Sequence, residues 1–269
     1  MNKFIGVLFF ICLLFVRCTN SERKDSQVSI LKNSNGDSLQ ITYFYNGNKK
    51  SEAILKNDQI NGLYIAYYEN GSIKETGLME NNHKLNIWKS FDSAGTLKNV
   101  RHYYMDTVVY ELPPVDFIFE ERSSKETSFS IKVPKYWGSQ LENPSLLFMA
   151  YKPDSTFFFT PNITITKDSA NVESLEQHVS STKNILSGNL SNLKIFTERV
   201  LLINTKDAYQ MGFRFDQKDK NIGALLTIIK DNTTYYNITE MAGNEPPGSF
   251  LKYKGLFEEV ANSFKLAKQ

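Results

Sequence analysis

The chain has 269 residues, with 31 Lys and Arg against 29 Asp and Glu, a formal charge of +2. So even a balance argues against a nucleic-acid partner, which demands a basic surface. Two cysteines, Cys12 and Cys18, both near the start, leave the rest of the chain without an internal disulfide.

Residues 1–17 read as a targeting segment. Lys3 supplies a positive start, and the apolar run over 4–16 is shorter than the roughly 20 residues a membrane span needs. Cys18 follows directly. The arrangement resembles a bacterial lipoprotein signal, which implies that Cys18 becomes the lipidated first residue after cleavage. Arg17, where that signal normally has a small residue, departs from the pattern and leaves a plain signal peptide or an uncleaved anchor open. Cleavage removes Lys3 and Arg17 and no acid, so the remainder is formally neutral. That leaves the acyl chains as the membrane contact. Residues 18–37 are polar, lack apolar periodicity and predict a flexible tether.

Residues 38–112 carry a repeat. Gly62, Tyr64, Tyr67 and Gly71 return 24 positions later as Asn86, Trp88, Phe91 and Gly95, and a weaker copy upstream has Leu39, Tyr43 and Gly47. A fixed period of this size predicts stacked supersecondary units. Aromatic bulk suits a pleated, half-buried surface. Asn70-Gly71 predicts a type I′ hairpin turn, with positive φ at both central residues; Ala94-Gly95 keeps only the glycine. Tyr43, Tyr64, Tyr67, Trp88 and Phe91 are the expected repeat core, and Gly47, Gly71 and Gly95 the turns. Tyr45 and Tyr68, next to the inward aromatics, alternate to the other face and are candidates for a binding surface.

The run Tyr67-Tyr68-Glu69-Asn70-Gly71-Ser72-Ile73, with Trp88, Phe91-Asp92 and Gly95-Thr96-Leu97, resembles the MORN-type repeat in its bacterial, antitoxin-like variant. The resemblance implies an array of β-hairpins. The word "antitoxin" belongs to the family name, and these residues carry no toxin-neutralising chemistry.

The rhythm stops after Tyr104, and Pro113-Pro114 and the charged, Ser-rich stretch behind it predict a linker over 113–125. Residues 126–269 have another grammar. Phe129-Ser130-Ile131-Lys132-Val133 alternates as a half-buried strand does, 146–151 is a continuous apolar run, and Asn162-Ile163-Thr164-Ile165 alternates again. Leu175, Val179, Thr182 and Leu186 then recur at helical spacing, with Ser174 or Asn171 as N-cap and Gly188 as stop. Strands return over 195–203, 208–215, 223–230 and 234–241. A last helix follows Pro246-Pro247-Gly248, with Phe250, Tyr253, Phe257 and Val260 on one face. Strands joined mainly by hairpins, with two helices, predict an α+β sandwich. Phe129-Ser130-Ile131, Pro134, Trp137, the 162–165 strand, Tyr235-Tyr236-Asn237-Ile238-Thr239 and Ser263-Phe264 resemble the PsbP/Mog1/DcrB-like superfamily. That resemblance implies a binding or assembly accessory protein more than an enzyme.

No metal or cofactor is expected. His83, His102 and His178 lack the spacing of a zinc motif and read as surface polar residues. No nucleophile elbow, Walker loop or dinucleotide cluster is present. The expected function is a non-catalytic binding or assembly module, lipid-anchored in the bacterial envelope, on the outer membrane since Thr19-Asn20 lacks an inner-membrane Asp signal. Its expected partner is an envelope protein or glycan. Two alternatives stand: an antitoxin or immunity-like protein, and an enzyme using a cleft between the domains.

Overall fold

The structure is a computed structural model describing residues 28–32, 37–124, 129–140, 146–153, 159–169 and 174–266. The targeting segment, Cys18 and Asn171 lie outside the described residues.

The first part is an eight-stranded antiparallel meander in chain order: β1 Val28–Lys32, β2 Ser38–Tyr43, β3 Lys49–Lys56, β4 Gln59–Tyr67, β5 Ile73–Glu80, β6 His83–Phe91, β7 Leu97–Tyr104 and β8 Thr107–Leu112. Strand β1 falls inside the stretch expected to be a tether, because Val28, Ile30 and their neighbours pair along β2.

The turns on one side of this sheet come at intervals of 24 residues. The N–H of Gly47, Gly71 and Gly95 donates to Phe44, Tyr68 and Asp92 O at 3.0, 2.9 and 2.9 Å. In each, the residue that accepts this bond also donates its own N–H, to Asn48, Ser72 or Thr96 O. The three glycines share one left-handed geometry, φ +84, +85 and +86°. Asn70 does not take positive φ. The turn is therefore not type I′ but the longer loop whose glycine makes a G1 bulge, with the ladder slipping at Ala66/Tyr67. The same loop forms at Ala94-Gly95, since only the glycine position requires left-handed backbone. The two-residue turns with both φ positive lie on the opposite side, at Asn57-Asp58, Asn81-Asn82 and Met105-Asp106.

Pro114–Phe117 forms a short 3-10 helix, with proline at its start where an N–H would have no partner. The predicted linker therefore carries structure: after this turn, β9 Phe119–Ser124 pairs with β10 Phe129–Pro134, and β10 pairs with β18 Lys265–Leu266. The remaining strands are β11 Gly138–Gln140, β12 Leu146–Tyr151, β13 Asn162–Ser169, β14 Ser191–Ile203, β15 Lys206–Gln217, β16 Lys220–Asp231 and β17 Thr234–Gly243. They form one antiparallel sheet in the order β11-β12-β13-β17-β16-β15-β14.

Helix α1, Leu175–Asn189, starts at Ser174 with a full capping box: Ser174 Oγ accepts from Gln177 N–H, and the Gln177 side chain accepts from Ser174 N–H. Helix α2, Leu251–Asn262, is capped from further back. Asn244 Oδ1 accepts from Gly248 N–H at 2.9 Å and Phe250 N–H at 3.3 Å.

The helices lie on opposite faces of the seven-stranded sheet. Along β16, Ala224, Leu226 and Ile228 pack in one cluster with Val179 of α1. Leu225 and Ile229 pack in the other with Leu256, Phe257 and Val260 of α2. Val100 and Leu112 of the first sheet belong to the α2 cluster. Lys89 pairs with Glu259 of α2 at 2.6 Å, and Tyr110 Oη donates to Gly248 O at 3.2 Å. The first sheet is thus seated on α2 through β6–β8, and the two parts share a core. The whole is a sheet-rich α+β fold.

Candidate binding surfaces

The first sheet holds its turns in register with side chains. Asn46 Nδ2 donates to Glu69 O at 3.1 Å, and Asn70 Nδ2 donates to Ser93 O at 2.9 Å, the same bond one interval on. On the other side Ile60 N–H donates to Asn82 Oδ1 at 2.8 Å and Lys84 N–H to Asp106 Oδ1 at 2.7 Å. Each turn satisfies polar groups of the next, so turns that are short of a partner alone are complete in the stack.

The aromatics expected to form one core divide between faces. Tyr64 and Trp88 both sit opposite Gly77, with ring centroids 5.8 Å apart. A Cβ on Gly77 would overlap the Trp88 indole, so the glycine makes room for the ring. Trp88 is buried, beneath Lys84 Nζ at 4.0 Å from its ring and with Nε1 donating to Leu78 O at 3.0 Å. By alternation Tyr67 and Phe91 face the other way and, like Tyr43, are half-buried. Tyr67 Oη donates to Glu52 Oε2 at 2.8 Å; burial first, then this carboxylate, pushes the phenol up to about 12.

Of the two tyrosines singled out for binding, Tyr45 is 75% exposed at a turn. Tyr68 is half-buried and ties neighbouring loops, its hydroxyl donating to Phe91 O at 2.9 Å. The two therefore do not form a shared exposed strip.

Between the parts lies a groove of about 260 Å³ lined by Leu63, Leu78, Ile87, Lys89, Glu258 and Glu259. It is the cleft an enzyme would use, yet its carboxylates are engaged. Glu259 holds Lys89, and Glu258 holds Lys254 at 2.7 Å and Arg199 at 3.0 Å. Both acids are thus turned to cations of the molecule itself. Among the described residues no three His, Cys, Asp or Glu lie close enough to hold a metal ion.

His83 keeps to the surface reading, with its side chain 46% exposed, and the other two histidines differ from it. His83 Nδ1 is bonded to Asp106 at 2.7 Å in the turn ladder. His178 stacks on Tyr235 at 3.8 Å, and its Nε2 is buried. His102 is half-buried beside Tyr110; desolvation, then the charge of Lys254, holds its imidazole below the usual range. Glu240 is fully buried with neither carboxylate oxygen hydrogen-bonded among the described residues, and burial, then Glu258, raises it well above the ordinary carboxyl value. Its acid group is shifted towards the neutral form inside the α2 core.

One open surface is the edge of the seven-stranded sheet. Strand β14 ends the strand order and pairs only with β15 among the described residues. From Thr197 to Ile203 its ladder is regular. Val200 is 77% exposed and Leu202 67%. The charges on this stretch stay exposed but are tied to neighbouring side chains of the same molecule. Arg199 donates to Gln210 Oε1 at 2.9 and 2.6 Å and pairs with Glu258, and Glu198 is held by Lys183 and Tyr209. Long edges that remain apolar and undefended accept another strand readily. The sequence predicted the strand over 195–203 but not its place at an edge. The only signal was the apolar run Val200-Leu201-Leu202-Ile203, which does not alternate.

No family model matches the chain, and no curated protein matches it. Among solved structures it is similar in outline to the cyanobacterial PsbP protein CyanoP of Synechocystis, at 12% identity, over 55% of this chain and 92% of that one, with TM-score 0.43. LpqN of Mycobacterium tuberculosis, described as involved in cell envelope biogenesis, matches at 10% identity, over 56% of this chain and 92% of that one, with TM-score 0.45. The immunity protein TplEi of Pseudomonas aeruginosa matches at 9% identity over 88% and 75%, with TM-score 0.32. Likeness at this level assigns neither activity nor partner to this chain.

Proposed function

We propose that this protein is a non-catalytic binding module of the bacterial cell envelope. It would be tethered by lipid on Cys18 and act in assembly with another envelope protein. The observation that carries the binding role is strand β14. Its outer row of backbone N–H and C=O groups is complementary to an extended segment, and Val200 and Leu202 flank that row with apolar surface. The first sheet serves as a rigid spacer, since its turns are bonded to one another along the stack. No helix among the described residues is long and apolar enough to cross a membrane.

The test is capture from detergent-solubilised envelopes with three versions of the chain. Wild type and Tyr68→Ala are expected to retain one discrete partner, and Val200→Lys with Leu202→Lys to lose it at an unchanged melting temperature. Loss with Tyr68→Ala alone would move the site to the first sheet. Labelled palmitate should enter wild type and not Cys18→Ser; equal labelling would refute the anchor.

A further inference from the structure

At the start of α2 a cavity of about 440 Å³ opens between the helix and the sheet. That is within the range of about 300–1,000 Å³ for small-molecule sites. Its lining is mostly apolar, with Ile195, Phe196, Phe250 and Leu251 as walls. Two glycines set these walls. A Cβ on Gly223 would overlap the Phe250 ring, and one on Gly212 would lie 2.7 Å from Phe196. Without side chains there, both rings lie against bare backbone, 6.2 Å apart and inclined at 64°. Phe196 reaches this position because it is the extra residue of a bulge, between the pairs Ile195↔Phe213 and Thr197↔Gly212. The ring stays 46% exposed, an apolar surface left open inside a formed hollow.

The polar part of the lining is cationic. Lys194 and Arg214 stand opposite each other on β14 and β15, and both are exposed. Neither is in an ion pair among the described residues; the Asp216 carboxylate, bonded to Asn221 at 2.8 Å and Asn192 at 2.7 Å, lies near enough for both cations to help hold it below its usual range, and offsets part of their charge. The neutral polar side chain of the lining, Asn244, is already committed to Asn221 and to the N–H groups of Gly248 and Phe250. An occupant therefore meets apolar rings and two positive charges, with little neutral hydrogen bonding to offer a sugar or a base.

We propose that this cavity binds the chain of a single-tailed anionic amphiphile, a fatty carboxylate, with Lys194 and Arg214 holding its head group. Apolar area drives the tail inward, and the paired cations select charge. Three ligands separate these contributions on the purified full chain, by titration calorimetry below micellar concentrations: dodecanoate, dodecanol and butyrate. Dodecanoate is expected to bind saturably at one site, dodecanol roughly tenfold more weakly and butyrate not at all. Lys194→Glu with Arg214→Glu should weaken dodecanoate by about tenfold or more without moving the melting temperature, because both side chains are exposed. Equal affinity for dodecanol, no effect of charge reversal, or no saturable heat would each overturn the proposal. So would loss of binding in Val200→Lys with Leu202→Lys, which would place the tail on the sheet edge. The proposal is independent of the accessory role, since a partner lost at β14 leaves this titration as it is.

Discussion

The two sheets of this molecule are held together in opposite ways. In the eight-stranded sheet the stabilising contacts are short-range: turns bonded to the turn one hairpin on, an indole laid over Gly77, and few buried side chains per strand. In the seven-stranded sheet every residue of β16 from Ile222 to Ile229 is buried, and the strand is sandwiched between two helical faces. The first arrangement rests on bonds between neighbouring strands and turns. The second depends on residues far apart in the chain meeting at once. They join where Val100 and Leu112 enter the α2 core, so the first sheet gains a fixed end from the second.

The largest effect should come from the shared core. Phe257 is fully buried on α2. Phe257→Ala is expected to cost about 3–5 kcal/mol in denaturant unfolding. If the parts unfold together, probes in both sheets should shift by the same amount; movement in one sheet alone would separate them.

Gly255→Ala comes next. A glycine inside an exposed helix costs roughly 1 kcal/mol relative to alanine, so the substitution ordinarily stabilises. Here the new Cβ would overlap Ile87 of β6. The expected result is a loss of about 1–3 kcal/mol, measured by urea titration. A gain in stability would show that the first sheet is not seated on α2.

Glu240 gives a smaller, pH-dependent effect. Its carboxyl is raised well above 4.5 in the folded chain. Above that pH the unfolded chain releases the proton while the folded chain keeps it, so wild type loses stability as pH rises toward the folded value. Glu240→Gln should remove this loss. Melting curves of the two proteins should therefore diverge between pH 4 and the folded value of Glu240; parallel curves would mean that the acid is not held neutral.

The smallest effect is expected at a single rung of the turn ladder. Asn70→Ala removes the bond to Ser93 O and the one accepted from Ser72 N–H, at about 1 kcal/mol. Unfolding of the isolated variant by calorimetry should show a loss of that order; none would mean the rungs are ornamental to stability.

What the residues disclosed in advance follows the same division. Gly47, Gly71 and Gly95 were readable as turns because a loop that needs one left-handed residue writes a glycine at that place each time. The type of turn was not, since the Asn70-Gly71 pair fits two loops and only the strand register chooses between them. The opposite turns at Asn57-Asp58, Asn81-Asn82 and Met105-Asp106 keep the same interval, but with side chains too varied to stand out. In the second sheet, the helical spacing of Leu175, Val179, Thr182 and Leu186 behind Ser174 announced α1, and the apolar spacing of Phe250, Tyr253, Phe257 and Val260 announced α2. Strand order is set by contacts between distant segments, so nothing local told Ile195–Ile203 that it would have no outer neighbour among the described residues. For the same reason Tyr68, chosen for an exposed face, turned out to bridge two loops, while the open surface lay at Val200 and Leu202.

The binding role is tested most directly by photo-crosslinking in intact envelopes. A benzophenone amino acid placed at Leu202 on β14 is compared with one at Tyr45 on the first sheet and one at Tyr136, a further exposed site. A discrete adduct from position 202 alone is the predicted result. An adduct from position 45 without one from 202, or the same diffuse pattern from all three, would contradict it.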